Sequence, residues 1–398
     1  MGKAFRTKTR HWRARGGKRA TEFVLRSRSL GALGLLCLPI LLAGAAERGP
    51  DSAERLPTIS LWDLSANIRV GAGYKDNVTL SRFGAEASPA LMSGLDLLVF
   101  RLPTGGAELS FMFTGDDTRF LSAQSTRKEQ AFFALAQLKA DCGGGWGGGL
   151  AVQYCYLDQV LDASTLDYGT GSIEARGHSL VLTPTVRRNL GAANTLELEF
   201  PVNRSYYARP LDDYWEGGPK LAFKHEDGWR SELEVSYAIA RRLYDNRSQA
   251  SAAGELLPDT RLELLFQRAE AAWRHHWDQN RHWRSSTKLG VEITQDNSSG
   301  YFDYKRCFVS EQLRFRAGGW ELCARGGLSF YDYALQTVSA TNPAKRNKLL
   351  LTASFRAEKS VTRKLKVFAE FEHERSLANV TYDAYRVNTV CCGLDWEL

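Results

Sequence analysis

Glu197 and Glu199 stand two apart in "NTLELEFPVN", and Lys220 and Lys224 stand four apart in the segment that follows. Glu232 and Glu234 repeat the glutamate spacing a little further on. Opposite charges at alternate positions of neighbouring extended segments meet as cross-strand pairs. By the same parity Arg69, Arg187, Asn203, Arg284, Lys288, Glu292, Glu321, Arg325, Arg356, Lys366, Glu370 and Glu372 share one face of their segments. The chemistry open to such a face is electrostatic. It braces a wetted inner wall with ion pairs of modest worth, or it forms a charged constriction that selects solutes. Both signs are mixed, so weak charge selectivity is expected.

Other chemistries find less support. The stretch "WRHHWDQNRHW" carries His275, His276 and His282. Adjacent histidines on a strand diverge, and no cysteine or carboxylate completes a metal set; an interfacial turn explains the run. No G-x-S-x-G is present. His178 and His373 lack a serine and an acid at a spacing that argues for proximity, so no catalytic residue and no cofactor are assigned. "TGDD", "PLDDYW" and "TQDNSSGYFDY" read as solvated loops, with binding of divalent cations or glycans as the alternative.

The elements that must position these groups are strands. In "LSANIRVGAGY", Leu64, Ala66, Ile68, Val70, Ala72 and Tyr74 share one side, with polar or small residues on the other. This period of two recurs to the last residue. It predicts sixteen strands, near 62–74, 93–102, 107–115, 129–140, 146–157, 178–188, 195–206, 218–224, 229–241, 261–274, 282–294, 303–316, 320–333, 347–357, 364–375 and 386–398. The second, fourth, tenth and twelfth have blurred parity, which leaves fourteen as the alternative count. The connections alternate between short turns, such as "PTGG", "DCGGG" and "AGG", and long loops, such as 75–92, 242–260 and 334–346. Outer-membrane barrels alternate in this way. Sandwiches and propellers have no reason to. Trp62, Trp146, Trp229, Trp273, Trp277, Trp283, Trp320 and Trp396 fall at the short-turn ends, and the tyrosines fall in the long-loop half. Two aromatic girdles are expected at the membrane interfaces.

Residues 1–29 are strongly basic, and "LGALGLLCLPILLAGAA" follows. A basic region, a short apolar core and small residues form a secretory signal. The run is short for a membrane anchor and is interrupted by Pro39. Cleavage after Ala45 is expected, with a short segment at 46–61 and the barrel at 62–398. The chain carries a formal charge of +7. Residues 1–45 hold ten basic residues and one acidic, so the remainder carries −2. The basic balance therefore argues for no nucleic-acid partner. Seven cysteines in 398 residues are too few for a disulfide scaffold.

The C-terminal "CGLDWEL" resembles the assembly signal of Gram-negative outer-membrane β-barrel proteins, in Gly393, Trp396 and an apolar last residue, Leu398. That family most often ends in Phe. The opening "GAGYKDNVTLS" resembles the first-strand pattern G-x-x-Y-D-x-N of porin-like barrels, with Lys75 where that pattern has Asp. The resemblance implies an all-β, antiparallel, up-and-down transmembrane barrel in the outer membrane. Its implied partners are lipid and lipopolysaccharide, the barrel-assembly machinery and small solutes, and a homo-oligomer stays open. It implies a passive channel for small hydrophilic solutes. A surface binding or adhesion barrel, an export conduit and an outer-membrane hydrolase are the alternatives.

Overall fold

The computed structural model describes residues 61–398 apart from 105, 164–170 and 340. The expected signal at 1–45, its cleavage after Ala45 and the segment 46–60 lie outside the described residues.

Period-two patterning becomes eighteen strand segments in one antiparallel sheet. The first six are β1 (Trp62–Lys75), β2 (Ser88–Thr104), β3 (Ala107–Phe120), β4 (Lys128–Gly143), β5 (Trp146–Asp162) and β6 (Ser172–Asn189). Four short ones follow: β7 (Asn194–Glu199), β8 (Val202–Tyr207), β9 (Tyr214–Gly217) and β10 (Lys220–Asp227). Next come β11 (Ser231–Tyr244), β12 (Glu263–His276), β13 (Trp283–Asp296) and β14 (Tyr304–Ala317). The last are β15 (Trp320–Ser339), β16 (Asn342–Ser360), β17 (Leu365–Ala378) and β18 (Tyr385–Glu397).

Two breaks divide single strands. β7 and β8 both pair with β6, and β9 and β10 pair with β8 and β7 in turn. The breaks fall at Phe200-Pro201 and Gly218-Pro219, beside Pro184 on β6. Proline has no N–H to give a ladder, so three prolines in one row interrupt it. The N–H groups that remain cross the gap, Phe200 to the Pro184 carbonyl at 3.0 Å and Gly218 to the Pro201 carbonyl at 3.2 Å. The wall therefore has sixteen strands, the larger of the two counts.

β1 pairs with β18, with Val70 opposite Leu394 and Gly71 opposite Gly393. That seam closes the sheet, so among the described residues every strand is paired on both sides, as a lipid environment requires. At the seam a Cβ on Gly393 would run into the Val70 carbonyl oxygen and would lie 2.7 Å from Gly71 Cα. Glycine is needed there because the strands approach too closely for any side chain. Phe368 on β17 is buried over both glycines, its ring within 3.3 Å of where a Gly71 Cβ would stand. An aromatic ring thus fills the space two glycines leave. The two-residue turn Gly318-Gly319 joins β14 to β15 with φ of +60° and +76°, the left-handed conformation that such a hairpin needs.

Outward positions alternate with inward ones along each strand. Leu64, Val70, Leu95, Leu180, Leu198, Val235, Leu289, Phe355 and Leu394 are among the exposed outward residues. The inward neighbours are less exposed and mostly polar.

The structure corrects several bounds. β3, β5 and β15 run further toward the long loops than alternation indicated, to Phe120, Asp162 and Ser339. The expected loop 334–346 is instead the continuation of the β15–β16 hairpin, which turns near 340. The tyrosine girdle is also corrected. Tyr74, Tyr154, Tyr206 and Tyr237 are exposed on the outer face, but Tyr214, Tyr244, Tyr304, Tyr331, Tyr333 and Tyr385 are buried. Those six point inward, and several carry an arginine over the ring: Arg242 lies over Tyr214 at 4.4 Å and Arg346 over Tyr333 at 4.6 Å.

Candidate functional site in the barrel lumen

Alternation places a band of charged side chains on the inner wall, and strand register decides which of them meet. Lys224 Nζ donates to Glu197 at 2.7 Å, and Lys220 Nζ to Glu199 at 3.0 Å. Glu234 is 3.8 Å from the same Lys220. Glu232 pairs with Arg274. Lys288 meets Glu270 at 2.5 Å, and Glu292 meets Arg268 at 2.7 Å. Arg356 reaches Glu358 at 2.6 Å, Glu370 at 3.1 Å and Asp395 at 3.6 Å. Arg69 reaches Asp96 at 3.0 Å and Asp116 at 3.5 Å. Arg325 stands on the inner face between Gln312 and Ser354.

One pairing differs from expectation. Arg187 is opposite Glu197 in register, but its guanidinium bonds to Asp141 on the far side, because Lys224 already occupies the Glu197 carboxylate.

Several members of the network were not legible in advance. Asp96 and Asp116 lie on β2 and β3, where inward Leu98, Met112, Phe133 and Leu135 form an apolar patch. With apolar residues on both faces the period fades, which explains the blurred parity of the second and fourth strands. Lys75, read as the start of a loop, ends β1 and meets Glu129 of β4 at 2.5 Å, both buried. No sequence signal marked this pair.

The long-loop rim is crossed from side to side. Lys348 on β16, fully buried, bonds to Asp162 at the end of β5. Beside it the Arg346 guanidinium clasps the buried Asp383 carboxylate with Nε at 2.9 Å and Nη2 at 2.7 Å. The other Asp383 oxygen accepts the Gly171 N–H at 3.0 Å. Leu80, Val160, Leu350, Tyr385 and Val387 form one apolar cluster around this crossing. Asp162 at the end of β5 and Gly171 just before β6 are therefore tied to β16 and to the segment between β17 and β18 at this rim. A second cluster packs Tyr214, Tyr244, Ala250, Leu262, Leu264 and Phe302 under the 245–262 loop.

Outside the wall, Glu86 ties two long loops together. Its carboxylate accepts the Ser125 N–H at 3.1 Å and the Gln124 N–H at 2.9 Å. These bonds, from Ser125 first and then Gln124, hold its pKa below the usual carboxylate range.

At the other rim the tryptophans are exposed and turned outward. Four carry a cation over the ring. Arg101 lies 5.9 Å from Trp62, Arg188 4.5 Å from Trp146, Arg281 5.0 Å from Trp229 and Lys359 4.9 Å from Trp320. Trp283 packs on Phe315 with ring centroids 4.7 Å apart. Trp396 follows Asp395 on the outer face, opposite Ile68. Leu398 continues the ladder, its N–H 2.9 Å from the Ala66 carbonyl.

The histidines diverge. His275 lies between Trp273 and Trp277, at 5.2 Å and 4.8 Å, while His276 turns toward Trp229. His282 Nδ1 is 3.2 Å from Asp278. Among the described residues no group of three or more His, Cys, Asp or Glu is gathered as for a metal ion. His178 Nδ1 meets the Tyr154 hydroxyl at 2.6 Å, and His373 Nδ1 meets the Asn388 amide oxygen at 2.7 Å. Neither contact brings a serine or cysteine to the imidazole. Cys391 is buried on the inner face and Cys392 exposed on the outer, and both are free thiols.

A closed antiparallel wall, apolar outside, charged within and rimmed by exposed aromatics, is a transmembrane β-barrel of the outer-membrane kind. Among the solved structures similar to this chain are a porin, an outer-membrane protein and a polysaccharide outer-membrane secretin. Against OccAB1 of Acinetobacter baumannii the identity is 9%, with 85% of this chain and 96% of that one covered and a TM-score of 0.47. OprD of Pseudomonas aeruginosa gives 10%, 84%, 94% and 0.45 in the same order. An anion-selective porin from Comamonas acidovorans gives 10%, 85%, 99% and 0.44. At this identity the likeness lies in the architecture alone. No family model and no curated protein matches the chain.

Proposed function

We propose that the protein is a porin-like channel of the outer membrane, passing small hydrophilic solutes without energy input. The observation that carries this reading is the inner wall itself. From β10 through β18 and on to β3 the inward face is a band of charged groups held in cross-strand pairs. Such a band favours water and polar solutes in a barrel of sixteen strands, a size that leaves room for an aqueous passage. The tryptophan rim with its overlying cations suits the inner-leaflet headgroups, which supports an orientation with the short turns in the periplasm and the long loops outside. Insertion through the barrel-assembly machinery, guided by Gly393, Trp396 and Leu398, and contact with lipopolysaccharide at the outer rim belong to the same reading.

Single-channel recording of the refolded barrel in a planar bilayer tests it. Ohmic steps of constant size are expected, and a protein that is folded and inserted yet gives no steps would sink the channel reading.

A second reading is a surface binding barrel. The packed lobe around Tyr244 and Phe302 favours it, because loops with their own core present a fixed surface. Binding of glycans to whole cells, lost when residues 246–261 are replaced by a short linker, would support that reading over the channel.

A further inference from the structure

We propose that the lumen holds an oxyanion-binding site at its short-turn mouth, centred on Arg284, for the phosphate or carboxylate group of a solute. The proposal rests on the channel reading for its route of access, though not for its chemistry.

Arg284 and Arg314 stand directly opposite each other on β13 and β14. Both occupy inward positions, next to Trp283 and Phe315 of the rim. Like charges in direct cross-strand register repel, and a sheet normally avoids them. The surroundings do not relieve the repulsion at Arg284. On its other side stands His276 of β12. Arg274 is one inward position away on β12, opposite Ser286. Arg316 continues the row on β14.

The carboxylates at this level are already engaged. Glu232 is taken by Arg274. Glu321 is shared by Arg314 and Arg316, the latter at 2.6 Å. Four guanidiniums therefore face two carboxylates. Arg284, half-buried, makes no hydrogen bond or ion pair among the described residues. Elsewhere on the inner wall Lys220, Lys224, Arg268, Lys288 and Arg356 each hold a carboxylate within 3.1 Å.

The group that fits an unengaged guanidinium beside a second one is a planar or tetrahedral oxyanion, which accepts two parallel N–H bonds from the fork. Its charge would remove the repulsion between Arg284 and Arg314 as it binds. The wall as a whole stays mixed in sign, so the site acts locally, as a stop for anions rather than as a filter along the whole lumen.

The test compares wild type with Arg284→Gln, each shown to be folded by heat-modifiable mobility. In planar bilayers, inorganic phosphate added from the short-turn side is expected to reduce the wild-type current saturably. Arg284→Gln should weaken that effect about tenfold or more, the scale of losing a charge-assisted bidentate contact. Acetate serves as the carboxylate arm and separates the two sources of the group. In parallel, ³¹P relaxation of phosphate is measured with both proteins in detergent, where no conduction is needed. Conduction with a phosphate effect that Arg284→Gln leaves unchanged overturns the site while the channel stands. Absent conduction with saturable phosphate binding that Arg284→Gln abolishes sinks the channel reading and upholds the site. No saturable binding of phosphate or acetate by the wild type overturns the proposal.

Discussion

Lys348 and Asp162 form a buried ion pair although β16 and β5 stand on nearly opposite arcs of the wall. The pair is a strut across the mouth, and the apolar cluster of Leu80, Val160, Leu350, Tyr385 and Val387 packs around it. Breaking one partner of a buried pair costs about 3–5 kcal/mol, because a charge is left without compensation. Lys348→Met should therefore release the β5–β6 hairpin end. Faster cleavage of that hairpin by external protease is the expected outcome, with larger conductance steps in the same variant. The double variant Lys348→Met with Asp162→Leu should lose less than either single one, since no orphan charge remains. Equal protease resistance in all three proteins would show that the strut does not hold the hairpin.

The seam is the next point of failure. Gly393 has no room for a methyl group against the Val70 carbonyl and Gly71. Gly393→Ala should block closure of β18 on β1 and leave the chain unable to reach its heat-modifiable form. Phe368→Ala keeps the backbone but empties the space over both glycines. A loss of about 3–5 kcal/mol, typical of a buried phenylalanine, should appear in urea unfolding. Deleting Trp396 to Leu398 removes the Glu397 N–H bond to Lys364 at 2.8 Å and the Leu398 N–H bond to Ala66 at 2.9 Å. Both neighbours of β18 lose a rung at once, and no folded barrel is expected on a gel.

Glu86 gives the pH prediction. Its folded pKa is depressed, so its tie between the two loops is at full strength above the ordinary glutamate pKa. The contribution is lost as the pH falls through the lower folded value. Amide exchange at Gln124 and Ser125 should accelerate over that acidic window. Glu86→Gln should flatten the profile, and an unchanged profile in the variant would rule the tie out as its cause.

Glu311 is a carboxylate in mid-strand on the outer face. It is exposed between Val309 and Leu313, with the Thr287 hydroxyl donating to it at 2.5 Å. A carboxylate facing lipid is unfavourable, though less so than a cation. Glu311→Val should raise stability in lipid by about 1 kcal/mol. A variant less stable than wild type in urea unfolding would mean that the carboxylate is engaged by another protein surface.

The strand count and the hand of each face were readable from the chain because lipid and lumen impose a strict period of two. Leu64 to Tyr74 and Val390 to Trp396 show it without interruption. The period fails where a strand meets protein on both sides. Leu157, Asp158 and Val160 are all buried, so β5 seemed to end five residues early. Tyr304 and Tyr331 sit at strand tops and were read as lipid-facing. Their burial inside follows from parity, which the girdle argument overrode. The struts were beyond reach, since Lys348 and Asp162 are 186 residues apart and each alone looks like an ordinary wall charge. Arg284 was legible as an inward cation, but its lack of a partner depends on which neighbours had already claimed Glu232 and Glu321.

The row of Pro184, Pro201 and Pro219 has a mechanical consequence. Cross-strand hydrogen bonds hold neighbouring strands together, and at this height each proline withholds one N–H from the ladder while the Phe200 and Gly218 N–H groups keep theirs. The tube is therefore not equally stiff all round. One azimuth is joined by fewer rungs than the rest, and sideways pressure from a crowded bilayer is expected to hinge neighbouring strands there first.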